Sequence, residues 1–284
     1  MIPKLPEKEH VLNEFKGICS KLDTDPEQMK DLVIYELTDG TRTCSSLNGS
    51  DAYVDGGAFI LRMAHLLNAV GARNFYVLTT GRNHKIRDNY MEIMDALLKE
   101  VDIYTEFASQ QNICLRFVGD LEGISHPKAG EFREQLKALE KQTSTNTGMT
   151  LFVLIDYDTE WALSSEEFKG LPGANVIVKH TKGQVNEGLW LPGKLHGNSF
   201  VYAQNASSGR NWSDRDLLHL IAASLRSMIL HKGLQYGKSY QEGEAEEIQN
   251  KREKDLSLVH RQLENPFTKR VVMFSHLGPE IYEF

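Results

Sequence analysis

Seven short apolar runs recur along this chain and constrain its fold more than any other feature of the sequence. They cover residues 32–37, 74–79, 113–118, 149–155, 175–178, 199–203 and 271–274. The runs are four to seven residues long and rich in Val, Ile, Phe and Tyr, a composition that favours buried β-strands.

Segments with a helical repeat of apolar residues lie between most of these runs. They cover residues 59–70, 90–101, 132–139 and 217–230. Gly71 stands where the first of these helices would end, and Ser213 stands where the last would begin. Strands that alternate with helices indicate βαβ units. We therefore predict an α/β fold with a central, mainly parallel sheet flanked by helices.

The sequence has no internal repeat and no low-complexity linker, so we expect a single domain over residues 1–284. Its core would extend from about residue 30 to about residue 235, and residues 236–284 would form a C-terminal helical appendage. Residues 238–262 are highly charged, which is typical of a solvated helix or of an arm that contacts a partner subunit.

Composition excludes several classes of function. The 284-residue chain has a formal net charge of −7, and no basic stripe stands out, which argues against nucleic acid as a partner. No segment approaches the ~18 consecutive apolar residues that span a bilayer, so we expect no stable membrane span. Cys19, Cys44 and Cys114 form no metal motif, and three cysteines do not suit a disulfide framework, so we expect a cytoplasmic location.

The tetrapeptide Asp39-Gly40-Thr41-Arg42 follows the first predicted strand. Ligands of open α/β sheets bind outside the carboxyl ends of the strands. An Asp at that end can hold Mg²⁺, and an Arg can donate two parallel hydrogen bonds to phosphate oxygens. A diphosphate would suit this cluster, although for the tetrapeptide alone a plain strand-to-loop turn is the more common explanation of an Asp-Gly pair.

Four further motifs follow in order and carry a resemblance. Tyr53 and Asp55 precede the first predicted helix, Thr79-Thr80-Gly81-Arg82-Asn83 follows the second strand, and an Arg-x-x-Gly-Asp pattern at 116–120 closes the third. A Glu-x-x-Thr-x-x-Asn-Thr pattern at 140–147 joins a helix to a strand. From about residue 30 to about residue 230, this order resembles the cis-prenyltransferase family.

The resemblance implies a homodimer, an apolar tunnel for an isoprenoid tail, and a Mg²⁺ ion held with the substrate diphosphate at Asp39. Gly40, Thr41 and Arg42 would bind the diphosphate. Arg82 and Lys85 could reach the same phosphates, although a solvated surface charge is the more common role of such residues.

The chain departs from the family where chain-elongating members carry a basic set for isopentenyl diphosphate, their second substrate. By ungapped counting, Lys179, Val185 and Glu187 occupy the positions of that set, and Asn198 replaces an acidic metal ligand. A neutral or acidic replacement leaves negative charge uncompensated in a partly dry pocket. We therefore expect poor use of isopentenyl diphosphate.

The tuberculosinol and tuberculosinyl-adenosine synthase branch resembles this chain over nearly its whole length. Members of that branch begin with the same Asp-Gly-Thr-Arg motif, and their Asp-Arg-Tyr helix start matches Asp88-Asn89-Tyr90. Their active-site tyrosines would fall at Tyr90 and, across a gap, at Tyr53. These side chains could stabilise a cation or pass a proton, although core packing is the usual role of a Tyr on an amphipathic helix.

Other polar residues have structural interpretations. We expect Asp120 to order a strand end, and His65 to be a core histidine with its hydrogen bonds satisfied. His180 fits either a ligand contact or an ordinary loop position.

The sequence therefore predicts a Mg²⁺-dependent enzyme that ionises an allylic prenyl diphosphate, releases diphosphate, and transfers or quenches the carbocation. Two alternatives stay open. One is a non-catalytic subunit of a two-component cis-prenyltransferase, and the other is an ordinary chain-elongating enzyme. The length of the isoprenoid, the acceptor and any cyclisation are not specified by the sequence.

Overall fold

A computed structural model describes residues 2–38, 49–179, 191–193, 200–203, 212–232, 243, 246, 250, 270–275 and 278–283. Within these residues the strands form one eight-stranded sheet in the order β3-β4-β2-β1-β5-β6-β7-β8. The strands are β1 (Val33–Leu37), β2 (Asn74–Leu78), β3 (Cys114–Val118), β4 (Thr150–Leu154), β5 (Val176–Lys179), β6 (Phe200–Ala203), β7 (Arg270–Ser275) and β8 (Gly278–Glu283). Strands β1 to β6 pair in parallel, and β7 and β8 are antiparallel.

Helices flank the sheet as predicted, which confirms the α/β fold class. They are α1 (Lys8–Lys21), α2 (Gly49–Ala69), α3 (Tyr90–Gln111), α4 (Ala129–Thr143), α5 (Thr159–Ser164), α6 (Glu166–Lys169) and α7 (Asp214–Lys232). Two 3₁₀ turns, Pro26–Asp31 and Arg82–Ile86, lie before β1 and after β2. Among the described residues, no helix is long and apolar enough to cross a membrane.

Apolar side chains cover both faces of the central strands, which is why these strands are continuous apolar runs in the sequence. A larger core cluster packs beneath α1, α2, α3, α4 and α7. A smaller one, which includes Tyr157 and Phe168, lies on the other face under α5 and α6. The arrangement gives a sheet buried between two layers, with the carboxyl ends of β1 to β5 at a common edge.

The Glu-x-x-Thr-x-x-Asn-Thr motif has a structural role at the edge of this sheet. Strand β3 is an edge strand, and the amides of Leu115 and Phe117 donate to Thr143 Oγ1 at 3.1 Å and to Glu140 Oε1 at 2.6 Å. Asn146 Nδ2 donates to the Ile113 carbonyl at 2.8 Å. Because unpaired edge amides invite pairing with another chain, this helix end protects the edge.

All seven predicted strands form, within one or two residues of their predicted bounds, but several elements were missed. Helix α1 was not predicted because its apolar residues are sparse. The C-terminal appendage was predicted to be helical, but residues 270–275 and 278–283 within it form strands β7 and β8 of the sheet, and β8 was not predicted. The helix predicted at 217–230 begins after a capping pair, in which Ser213 and Asp216 exchange hydrogen bonds at 2.9 and 3.2 Å. Most of the charged segment 238–262 lies outside the described residues, so its helical or arm-like role stays a prediction, as does the division into one domain.

Candidate active site

The predicted diphosphate motif lies just beyond the described end of β1. Asp39, Gly40, Thr41 and Arg42 are outside the described residues, so their roles stay predictions. Thr38, the residue before them, is described, and its hydroxyl donates to the carbonyl of Leu78 at the end of β2. Thr38 therefore lies at the carboxyl edge of the parallel sheet, where ligands of such folds bind.

A cavity opens at this edge between the ends of β1 and β2 and the helices α2 and α3. This outer cavity has a volume of about 50 Å³ and a polar rim that includes Thr38, Tyr53, Thr79 and Thr80. Its remaining lining is Gly56, Gly57, Ile60, Ile93, Ala96, Leu97 and Glu100.

A second cavity extends the same path deeper under α3. This inner cavity is lined by Leu97, Glu100, Val101, Tyr104, Phe117, Phe132, Leu136, Val153 and Ile155. Leu97 and Glu100 line both cavities, so these two side chains stand at the junction. Its volume is about 10 Å³, close to the space that one water molecule needs. An apolar ligand longer than the outer cavity must therefore displace side chains at the junction.

Lys85 lies in a cluster of charged and polar groups beside the outer cavity, at the ends of β2, β3 and β4. Its ammonium is 3.3 Å from an oxygen of Asp156 and 3.6 Å from one of Asp120. Tyr90 donates to the same Asp156 oxygen at 2.8 Å, and the Asp156 amide donates to Thr80 Oγ1 at 2.8 Å. Thr80 also lines the outer cavity, so it connects the cluster around Asp156 with that cavity.

The carboxylate of Asp156 is fully buried, and burial raises its pKa above the ordinary Asp value, while the Tyr90 hydrogen bond and Lys85 oppose that rise. Burial and the neighbouring Asp156 also raise the pKa of Tyr90, so the phenol stays protonated and donates. Asp156 has a φ of +50°, a left-handed conformation that Asp tolerates better than most residues. The cluster is thus a compensated ion-pair network that fixes the start of α3.

Arg82 is directed toward acidic groups at the start of α5. Its guanidinium is 3.1 Å from Asp158 and 3.5 Å from Glu160, and its side chain is half exposed. Asp158 also caps α5 by accepting from the Trp161 amide at 2.6 Å. Both basic residues predicted to reach a diphosphate therefore have carboxylate partners in this structure.

The two predicted tyrosines occupy different places. Tyr53 is on α2, lines the outer cavity, and accepts a hydrogen bond from Asn89. Tyr90 begins α3 and belongs to the cluster around Asp156. The Asn89 contact links the two helix starts across the mouth of the outer cavity.

Three other residues discussed in the sequence analysis, Asp120, His65 and Lys179, lie within the described part of the chain. Asp120 accepts from the Gly123 amide at 3.0 Å and orders the turn after β3, as predicted. His65 is buried, with its ring nitrogens 2.9 Å from Gln111 Oε1 and from the Pro6 carbonyl oxygen, so its prediction as a satisfied core histidine is confirmed. Lys179 is buried at the end of β5, beside Leu37 of β1.

The remaining positions of the second-substrate region, Val185, Glu187 and Asn198, lie outside the described residues, as does His180. The expectation of poor isopentenyl diphosphate use therefore stays a prediction.

Glu100 was not predicted as a site residue, although its position in the sequence indicates that it is buried. It is three residues after Leu97 and four before Tyr104, so a helical repeat places it on the buried face of α3. A charged residue on an otherwise apolar helical face calls for a specific explanation, because burying a carboxylate without a partner is costly.

In the part of the chain that is described, no group of three or more His, Cys, Asp or Glu side chains could hold a metal ion. Two carboxylates beside the outer cavity, Asp120 and Asp156, already share Lys85.

Comparison with known proteins identifies the fold. No protein-family model and no curated protein matches the sequence. Among solved structures, the chain is similar to a probable undecaprenyl diphosphate synthase from Campylobacter jejuni, with a TM-score of 0.51 and 14% identity over 68% of this chain and 94% of that one.

It is also similar to lavandulyl diphosphate synthase from Lavandula x intermedia, solved in complex with dimethylallyl diphosphate. That match has a TM-score of 0.58 and 12% identity over 68% of this chain and 94% of that one. At these identities the likeness shows a shared fold, which is that of the cis-prenyltransferases.

Proposed function

We propose that this chain is an enzyme that ionises an allylic prenyl diphosphate, releases diphosphate, and transfers or quenches the carbocation. The observation that carries the proposal is the path from the polar outer cavity, at the carboxyl ends of β1 and β2, to the apolar inner cavity under α3. The two solved structures that share the fold are named as prenyl diphosphate synthases, which supports the same substrate class.

The two cavities match the two parts of such a substrate. A diphosphate needs cations and hydrogen-bond donors, and the rim carries three threonines and a tyrosine. The Asp39–Arg42 motif follows Thr38 in the sequence and would add a cation. The tail needs apolar surroundings, which Val101, Phe117 and Leu136 provide further in. Since the inner cavity is small, we expect the tail to enter by displacing Leu97.

The proposed diphosphate site consists of Gly40, Thr41 and Arg42, with Asp39 as the metal ligand. Mg²⁺ is commonly bound by one or two carboxylates together with substrate phosphates, so a single Asp beside a diphosphate suits it. When bound, Mg²⁺ supplies neutralisation of the leaving group's negative charge. Arg82 and Lys85 would have to exchange their carboxylate partners before they could contact the same phosphates.

Tyr53 is the better placed of the two tyrosines for contact with a prenyl cation, because it lines the outer cavity. The π face of a phenol attracts a cation by about 1 kcal/mol, and more when the site is dry. Tyr90 would act through Asp156 by holding the start of α3 in place. Exclusion of solvent from the outer cavity would protect the cation from premature capture by water.

The finer proposal follows the resemblance to the tuberculosinol and tuberculosinyl-adenosine synthase branch. The acceptor would be water, an amine or an internal double bond, and isopentenyl diphosphate would be used poorly because Val185 and Glu187 replace basic and hydroxyl groups. The homodimer that the resemblance implies belongs to the same proposal, and light scattering of the purified protein would test it.

Chain elongation is a second candidate function, because Lys179 places one buried cation beside the end of β1. A panel of geranyl, farnesyl and geranylgeranyl diphosphates with Mg²⁺, each with and without labelled isopentenyl diphosphate, separates the two. We expect diphosphate release in both conditions and no label in the product. Label in a longer chain would establish elongation, and no release from any substrate would overturn the proposed function.

A further inference from the structure

We propose that Glu100 is a catalytic base in the substrate channel and takes a proton from the prenyl cation, which converts the cation into a hydrocarbon. This inference rests on the proposed function, because it requires a prenyl cation to form. It extends the proposed function by stating how the cation is consumed and which residue determines this outcome.

The position of Glu100 fits this role. It lies on α3 and is 5% exposed, and its side chain lines both cavities where the polar rim gives way to the apolar interior. Side chains on a helix tilt toward its N-terminus, and α3 begins at Tyr90, beside the carboxyl edge of the sheet. The carboxyl group lies against Gly57 of α2, which lines the outer cavity, where the cation would form.

The neighbouring helix makes space for this carboxyl group. A Cβ atom at Gly57 of α2 would lie 2.0 Å from Glu100 Oε1 and 2.7 Å from Cδ, so any side chain there would collide with it. Gly57 itself lines the outer cavity. The missing side chain lets the carboxyl group occupy the wall between α2 and α3.

Most of the side chains that surround Glu100 in the two cavities are apolar. Among the described residues, no ion pair or hydrogen bond involves its carboxylate. The titratable groups that line the same two cavities are Tyr53 on α2 and Tyr104 on α3, while the linings contributed by the sheet and by α4 are not titratable. The Tyr104 hydroxyl is buried and has no hydrogen-bond partner among the described residues. Burial raises the pKa of Glu100 to about 8, and the positive charge of the N-terminus opposes that rise.

A raised pKa suits a base that acts on a cation. In the resting enzyme near neutral pH the carboxyl group is mostly uncharged, so an apolar tail can lie beside it at little cost. Once ionised, it is a stronger base than an ordinary carboxylate. A cation in the channel favours that ionised form, because opposite charges attract strongly where water is excluded.

The proposed step is an elimination. A C–H bond on the carbon next to the cationic carbon breaks, its proton goes to a carboxylate oxygen of Glu100, and its electron pair forms a new C=C bond. The product is a neutral polyene, and the carboxyl group becomes neutral. Glu100 then passes the proton to water or to the released diphosphate, which restores the enzyme.

The test compares products formed by the wild type, by Glu100→Gln and by Glu106→Gln, an exposed acid on the same helix as a matched control. Each is incubated with geranylgeranyl diphosphate and Mg²⁺, and the ratio of hydrocarbon to alcohol is measured per diphosphate released. We expect the ratio to fall about 100-fold in Glu100→Gln, the lower end of what a general base contributes. Glu106→Gln should keep the wild-type ratio.

The pH dependence of the wild type gives a second readout that needs no variant. Between pH 6 and pH 8 the ionised fraction of a group with a pKa of about 8 rises roughly 50-fold, and the hydrocarbon-to-alcohol ratio should rise with it. A purely structural role for Glu100 would not produce this profile.

The outcomes separate the two proposals. The wild type could release diphosphate while the hydrocarbon-to-alcohol ratio is the same in Glu100→Gln and does not change with pH. That result would overturn the role of Glu100 and leave the proposed function standing. A wild type that forms alcohol only would do the same. A wild type that releases no diphosphate would overturn both.

Discussion

Replacing Glu100 by Gln should change how the stability of the protein depends on pH. The unfolded carboxyl group has a pKa near 4.5, whereas burial raises its pKa to about 8 in the folded chain. Between these values the folded state binds more protons than the unfolded state, so stability falls as pH rises. The contribution is fully present below about pH 4.5 and is lost as pH rises through 8.

The size of the effect follows from the two pKa values. Each pH unit between them costs about 1.4 kcal/mol of unfolding free energy, so this one group should cost the wild type roughly 4 kcal/mol by pH 8. That is a large part of the 5–15 kcal/mol that typically holds a domain folded. A Gln side chain has nearly the same shape and does not titrate, so the variant should not lose this stability as pH rises.

Urea denaturation at several pH values from 5 to 8.5 measures this directly. The free energy of unfolding of Glu100→Gln minus that of the wild type should rise steadily with pH and level off above 8. Glu106→Gln, on the exposed side of α3, should show no such trend. A flat difference for Glu100→Gln between pH 5 and 8 would refute the argument that burial raises the pKa of this carboxyl group.

Three further substitutions test the contacts around the outer cavity. Tyr90→Phe removes the donor to the buried Asp156 and should lower the free energy of unfolding by about 1–3 kcal/mol in urea denaturation. Lys85→Met leaves two carboxylates without their cation and should cost about 3 kcal/mol at pH 7, with part of the loss recovered at pH 4. Gly57→Ala should destabilise the wild type but stabilise a Glu100→Ala background by about 1 kcal/mol, because the collision is gone and Ala is the better helix former.

Two of these variants, Tyr90→Phe and Lys85→Met, have matched control variants. Tyr104→Phe removes a buried hydroxyl that has no hydrogen-bond partner in the described part of the chain, so it should be nearly neutral where Tyr90→Phe is not. Lys99→Met removes an exposed lysine that pairs with Asp51, and its effect should be within about 1 kcal/mol. If the controls are as damaging as the test variants, the argument from specific contacts is wrong. A Gly57→Ala effect of the same sign in both backgrounds would contradict the proposed collision.

The sequence predicts the sheet well because buried parallel strands are almost continuous apolar runs. Each parallel strand from β1 to β6 appears in the sequence as such a run, and so does the antiparallel strand β7. Helix α1 escapes prediction because it covers the core with only four buried residues among charged ones. Strand β8 contains Gly278 and Pro279 and pairs only with β7, so its local sequence does not indicate a strand.

The candidate site is less accessible to prediction, because side-chain partners depend on the tertiary fold. Sequence reasoning names Arg82 and Lys85 as basic residues near the second strand, but their carboxylate partners are more than 30 residues away along the chain. Asp156 and Glu100 were not predicted as site residues for the same reason. The glycine that makes room for Glu100 lies on another helix.

Diphosphate release from geranylgeranyl diphosphate tests the central claim most directly. Equal amounts of wild type and of Asp39→Asn are incubated with the substrate and Mg²⁺, and inorganic diphosphate is measured over time. We predict steady release by the wild type and a loss of at least about 100-fold in Asp39→Asn, because the carboxylate that holds the metal is gone. Equal rates in the two proteins would contradict the account.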